Sequence, residues 1–194
     1  MQDRVHHSQL MNIEEFLDFT EERPDGEKWE LIEGKPVLSP SPTNFHQLIV
    51  GNILFFLDNC QQQSSAQWVP LIGIGTRVPI SPRSLPQPDL MVHETAPTEE
   101  SPVTDDGFVL FEVLSKSNTK SDQTWRKNAY ASIANCQHYV TVAQKKPLVT
   151  RFDRAAGWKR VEYTHLSDTL ELPCLGVGIP LLKIYRRTPV AART

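Results

Sequence analysis

Apolar residues along this chain alternate between a three-to-four-residue spacing and short unbroken runs, and each change of spacing marks an element. Ile13, Phe16 and Leu17 fall at i, i+3 and i+4 and predict a short amphipathic helix over Asn12 to Phe19. Phe45, Leu48, Ile49, Ile53 and Phe56 predict a second helix, with Asn44 as its N-cap and an end near Cys60. Between them, Trp29 to Ile32 and Lys35 to Leu38 flank Glu33-Gly34 and predict a hairpin, with Pro36 favouring an edge position.

Beyond the second helix the pattern becomes strand-like. Trp68 to Ile80 is interrupted by Gly73, Gly75 and Pro79, and Leu90 to Val92 follows Pro88-Asp89 as a short strand. Ala96 to Gly107 is polar and acidic and reads as an exposed loop. Phe108 to Leu114 is a continuous apolar strand with one carboxylate, Glu112, inside it. Asp122 to about Ala134 reads as a helix and His138 to Val142 as a strand. Leu148 to Phe152 and Trp158 to Tyr163 form a closing hairpin around Ala156-Gly157. This order predicts a mixed α/β domain. The expected boundaries are a flexible segment over 1–10, one domain over 11–186 and a flexible, frayed tail over 187–194.

Length and composition narrow the class. A chain of 194 residues can bury a full core without disulfides or structural metal. Cys60, Cys136 and Cys174 are odd in number and widely spaced, against both a disulfide framework and a zinc knuckle. The longest apolar run, Ile53 to Leu57, is far short of the roughly 20 residues a membrane span requires. The first ten residues hold no signal-peptide core, so a soluble cytoplasmic protein with no membrane partner is expected.

Charge first argues against nucleic acid, since the net value is -3 and the pI about 6.1. Read by position it is asymmetric. Seven acids and no Lys or Arg lie between Ser84 and Glu112, and four bases against one acid lie from Val113 to Lys127. This is either a metal site beside an anion site or two solvated loops.

Glu112 carries the most information. A carboxylate inside a strand apolar on both faces costs several kcal/mol of desolvation unless something compensates it. A paired Arg or Lys would do so, and so would a metal ion. Asp89, 23 residues earlier at the head of the preceding strand, brings a second carboxylate to a neighbouring strand. It is also open to reading as a turn residue after Pro88. Two acids together suit a hard divalent cation such as Mg²⁺, which takes one or two carboxylates and keeps waters. Asp122, Arg126 and Tyr130 share a helix face, with Lys127 about 100° around from Arg126. Asp122 and Arg126 could equally form a surface ion pair.

Pro88-Asp89 followed by Phe111-Glu112-Val113-Leu114-Ser115 resembles the PD-(D/E)XK nuclease signature in its Uma-type form, a bacterial restriction-endonuclease-like family. The resemblance extends through Ile13 to Leu17, Trp29 to Gly34, Ser41-Pro42 with His46, Asp122-x-x-x-Arg126-x-x-x-Tyr130, Tyr139-Val140, Ile179 to Leu181 and Tyr185. It thus covers nearly the whole chain. It implies a restriction-endonuclease-like fold, with a central four-stranded mixed sheet between helices. It also implies Mg²⁺ or Mn²⁺ held by Asp89, Glu112 and the Val113 carbonyl. Glu30 and His46 fall at recurrent positions near the active site, and a helix-surface or core role for His46 is equally open.

Two departures qualify this. The position two after Glu112, where the E-x-K form has lysine, is Leu114, and the alternative position on the helix is Arg126, with Lys127 beside it. Arginine does not exchange protons at neutral pH. Arg126 could stabilise phosphate charge, Lys127 could substitute for the lysine, or catalysis could have decayed. The expected function is a Mg²⁺- or Mn²⁺-dependent endonuclease, a homodimer acting on nucleic acid, DNA in the first instance. The alternatives are a dimeric binding or scaffold protein that has lost catalysis, and a metal-independent adaptor using the acidic loop.

Overall fold

The computed structural model describes residues 10–116 and 118–193. Nearly all of the expected flexible N-terminal segment, 1–9, lies outside them. Helix α1 (Ile13–Glu21) starts in a capping box: Asn12 Oδ1 accepts from the Glu15 N–H at 2.9 Å, and Glu15 Oε2 accepts from the Asn12 N–H at 2.8 Å. Its Phe16 packs with Met11, Leu31, Leu85 and Val103 in a small satellite core.

Strands β1 (Trp29–Ile32) and β2 (Lys35–Leu38) form the expected antiparallel hairpin. Its turn residues Glu33 and Gly34 have φ of 50° and 80°, the mirror-image geometry that matches strand twist. On its other side β1 meets Leu85, with the Leu85 N–H donating to the Leu31 carbonyl at 2.8 Å. That bridge lays the hairpin alongside the chain leading into Asp89.

Helix α2 (Asn44–Gln62) is capped by Thr43, whose Oγ1 accepts from the His46 N–H at 3.2 Å, so the cap lies one residue before the expected Asn44. Its buried positions are His46, Ile49, Val50, Ile53 and Leu57. The expected stripe was offset: Phe45 is exposed, and Leu48 and Phe56 flank the buried face. One helical position is about 100°, enough to exchange Phe45 for His46 on the inner side.

The central sheet has six strands where four were expected. Strands β3 (Val69–Leu71), β5 (Leu90–His93), β7 (Val109–Leu114), β8 (His138–Ala143), β9 (Val149–Asp153) and β10 (Lys159–Tyr163) lie in the order β10-β9-β8-β7-β5-β3. Within this sheet only β7 and β8 pair in parallel. Their connection carries α3 (Lys120–Ala131), capped by Thr119 and so beginning two residues ahead of the expected Asp122. The acidic loop over 96–107 is mostly exposed, but its β6 (Val103–Thr104) pairs with β4 (Gly75–Thr76) and buries Val103.

Side chains alternate along β7. Val109, Phe111 and Val113 join the core built with α2, while Leu110 packs with Ala129, Tyr130 and Ile133 near α3. Glu112 shares the α3 face with Leu110. A hairpin of β11 (Thr169–Leu172) and β12 (Val177–Pro180) and the short α4 (Leu181–Ile184), none of them drawn from the hydrophobic pattern, close the α2 side. Packing continues past residue 186, because Thr188 and Val190 are buried and Val190 belongs to the main core. No helix among the described residues is long and apolar enough to cross a membrane.

Candidate active site

Where the β1–β2 hairpin, the start of α2, the head of β5 and the end of β7 converge, a cavity of about 270 Å³ opens. Lys28, Glu30, His46, Asp89, Glu112 and Arg126 all contribute to its wall. Five of these six, Glu30, His46, Asp89, Glu112 and Arg126, were candidates from the sequence and are found together. Lys28 was missed.

Asp89 sits immediately before β5, and each of its oxygens is held. Oδ1 takes the Lys28 ammonium at 3.1 Å. Oδ2 lies 3.1 Å from His46 Nε2 and accepts from the Val113 N–H at 2.9 Å. Burial alone would raise its pKa, but the His46 hydrogen bond and the Lys28 charge override this and bring it down to about 2. Asp89 is therefore an anchored, ionised carboxylate and not only a turn residue after Pro88.

Glu112 differs. Its Oε1 accepts from Arg126 Nη1 at 3.0 Å and from Tyr130 Oη at 2.8 Å, while no hydrogen bond from the described residues reaches Oε2. Burial pushes its carboxyl up to about 7, against the pull of Arg126, with the charges of Asp89 and Glu30 pushing the same way. Arg126 offsets this incompletely because its guanidinium is shared out. Nη1 and Nη2 fork onto Glu30 at 2.9 and 2.8 Å, and Nε reaches Asp122 at 3.2 Å. Burial would raise the Glu30 pKa as well, but the Arg126 fork reverses the sign and holds it low. Glu30 also accepts from the Gln87 N–H at 2.7 Å and from Ser39 at 3.2 Å, which locks the hairpin to the approach to Asp89.

Asp122–Arg126 is thus one edge of a buried network, not an isolated surface pair. Lys127 is placed elsewhere: its Nζ lies 6.0 Å from the centre of the Phe152 ring, and it does not line the cavity. Substituting it for the site lysine would require turning α3, which the Arg126 fork opposes. Lys28 takes a place that no residue of α3 does. Burial tends to lower its pKa, but Asp89, Glu112 and Glu30 together hold it above the usual lysine value. The signal for it was present, since residues two apart in an extended segment face the same way and Lys28 precedes Glu30 by two.

The donor set fits a hard divalent cation. Glu112 has a carboxylate oxygen without a hydrogen-bond partner among the described residues, in a polar cavity, and Asp89 is ionised beside it. Lys28 and Arg126 face four carboxylates, so the charge is in deficit by two when all ionise. No group of three or more His, Cys, Asp or Glu side chains among the described residues is placed to hold a metal ion by itself, so a cation here would need backbone oxygen and water as further ligands.

The family model described as "Putative restriction endonuclease" matches residues 13–182, most of the chain. The chain belongs to this Uma2 family. The Uma2 fold is seen again in a crystal structure of a putative nuclease belonging to DUF820 from Anabaena variabilis, with a TM-score of 0.73 and 15% identity. The match covers 90% of this chain and 97% of that one. No curated protein matches the chain. The restriction-endonuclease-like expectation for the fold is met, and the Uma2 membership agrees with the motifs around Asp89 and Glu112.

Proposed function

We propose that this protein is a metal-dependent endonuclease that hydrolyses phosphodiester bonds in DNA, with Asp89, Glu112 and the Val113 carbonyl as the seat of Mg²⁺ or Mn²⁺. The observation that carries this reading is the Oε2 of buried Glu112, without a hydrogen-bond partner among the described residues, beside ionised Asp89 in one cavity. Such an ion, when bound, polarises a phosphoryl oxygen and makes water a better nucleophile.

The residues divide the remaining work. His46 and the Val113 N–H fix the orientation of the Asp89 carboxylate. Glu30 aligns Arg126, which with Tyr130 sets the position of Glu112. In hydrolysis the water oxygen bonds to phosphorus as one P–O ester bond breaks. The water loses a proton, the departing oxygen gains one, and a phosphomonoester and a hydroxyl remain. One cavity accounts for one strand, so cutting a duplex through both strands calls for two copies, which supports a homodimer. Three free cysteines suit a reducing cytoplasm.

The test is plasmid cleavage with Mn²⁺ by wild type, Asp89→Ala and Glu112→Ala. Wild type should cut, both variants should lose cutting, and Mn²⁺ should raise the melting temperature of wild type but not of Asp89→Ala. Equal cleavage by all three would expose a contaminant and sink the reading.

A second reading rests on the ties of Arg126 and Tyr130 to Glu112 Oε1. A site closed by its own ion pairs suits a fold kept for binding or scaffolding. Absence of any Mn²⁺ effect on wild-type melting would favour it.

A further inference from the structure

We propose that Lys28 is the phosphate-contacting lysine of this site, delivered from the segment ahead of β1 and not from β7 or α3. The inference rests on the nuclease reading above. A centre that hydrolyses phosphodiesters profits from a cation that can reach the non-bridging oxygens as charge grows on them. Each place where such a cation was expected fails here. Leu114 is aliphatic, and Lys127 stands over Phe152. Arg126 is committed: its Nε, Nη1 and Nη2 all end on carboxylates, and turning it toward a substrate would break the fork to Glu30.

Lys28 meets the requirement on three grounds. It is the one lysine lining the cavity among the described residues. Among the described residues its ammonium makes a single hydrogen bond, to Asp89 Oδ1, which uses one of the three donors of an ammonium. Its backbone is held, while its side chain is tied at the ammonium alone. The Lys28 carbonyl accepts from the Ser39 N–H at 2.8 Å, and the neighbouring Trp29 is pinned by Glu27 at 2.7 Å and by an edge-on contact with Phe19. Asp89 cannot serve both Lys28 and a divalent cation equally. A divalent cation taken up by Asp89 would compete with Lys28 for that carboxylate and would leave the ammonium for a phosphate in the same cavity. Lys28 forms no covalent bond and gives up no proton in this role; it supplies charge and hydrogen bonds.

The experiment compares wild type, Asp89→Ala, Lys28→Met, Lys28→Arg and Lys127→Met in Mn²⁺-supported plasmid cleavage, with Mn²⁺ affinity measured separately by calorimetry. Lys28→Met should slow the cleavage step by roughly 10²-fold with little change in KM, and Lys28→Arg should recover part of the rate. The same Lys28→Met protein should bind Mn²⁺ roughly tenfold more tightly, because a competing positive charge has left Asp89. A merely structural lysine would lower the melting temperature without this opposed pair of effects. Wild-type cleavage by Lys28→Met, with Asp89→Ala inactive, overturns the assignment and leaves the nuclease reading standing. Loss of cleavage in Lys127→Met but not Lys28→Met, or unchanged Mn²⁺ affinity in Lys28→Met, overturns it too. If wild type cuts no better than Asp89→Ala, the nuclease reading falls and the role of Lys28 falls with it.

Discussion

Arg126 grips Glu30 through two parallel hydrogen bonds of 2.9 and 2.8 Å, across a sequence separation of 96 residues. Both side chains are buried, and the pair ties α3, on one face of the sheet, to the N-terminal hairpin. The same guanidinium reaches Glu112, so the fork that fastens the hairpin also positions a candidate metal ligand.

Removing the arginine should therefore unsettle the fold before it affects any chemistry. Arg126→Met leaves Glu30 and Glu112 buried without their partner and should destabilise the protein by about 3–5 kcal/mol. Glu30→Gln keeps the shape and some hydrogen bonding, and should cost less. Urea denaturation of the two variants beside wild type checks the order.

Glu112 should make stability of the metal-free protein depend on pH. Its carboxyl is raised from 4.5 to about 7, so the folded state prefers the protonated form. That contribution is complete below about pH 4.5 and is lost as the pH rises through about 7. Asp89 acts in the opposite direction: its contribution is present above 3.8 and fades as the pH falls toward 2. Urea midpoints measured between pH 4 and pH 8 should therefore decline for wild type and flatten in Glu112→Gln. A flat wild-type profile would contradict the burial of this carboxyl. Mn²⁺ should bind more weakly as pH falls below about 7, because the cation requires the ionised form.

The hairpin turn should tolerate no side chain at Gly34. Its φ is +80°, and a Cβ there would lie 2.8 Å from Leu10 Cβ and 3.2 Å from the Met11 carbonyl oxygen. Gly34→Ala should cost more than about 1 kcal/mol. Because Lys28 and Glu30 ride on this hairpin, cleavage should weaken along with the melting temperature.

Which site residues could be read from the chain follows from how far their partners lie. Glu112 stood out because it interrupts an apolar strand and Asp89 because it heads the preceding one, and adjacent short strands place them together. His46 was found at its position, but its helix face was not, since the buried stripe begins at His46 itself and the more hydrophobic Phe45 points outward. Lys28 carries only the weak signal of its two-residue spacing from Glu30: its partner Asp89 is 61 residues away, and the Leu31–Leu85 bridge and the Gln87–Glu30 hydrogen bond bring the two segments together.

Local chemistry alone thus determined the amphipathic α1, the Glu33-Gly34 turn, the succession β5, β7, α3, β8, β9 and β10, and two carboxylates on neighbouring strands. These depend on side-chain periodicity and on residues within a few positions of one another. The tertiary structure decided which cation serves which acid. Arg126 became a buried strut, Lys127 was turned to Phe152, and Lys28 was brought to Asp89. Ion pairing in a cavity depends on which surfaces the sheet and the hairpin bring within about 3 Å, and spacing along the chain carries no record of that distance.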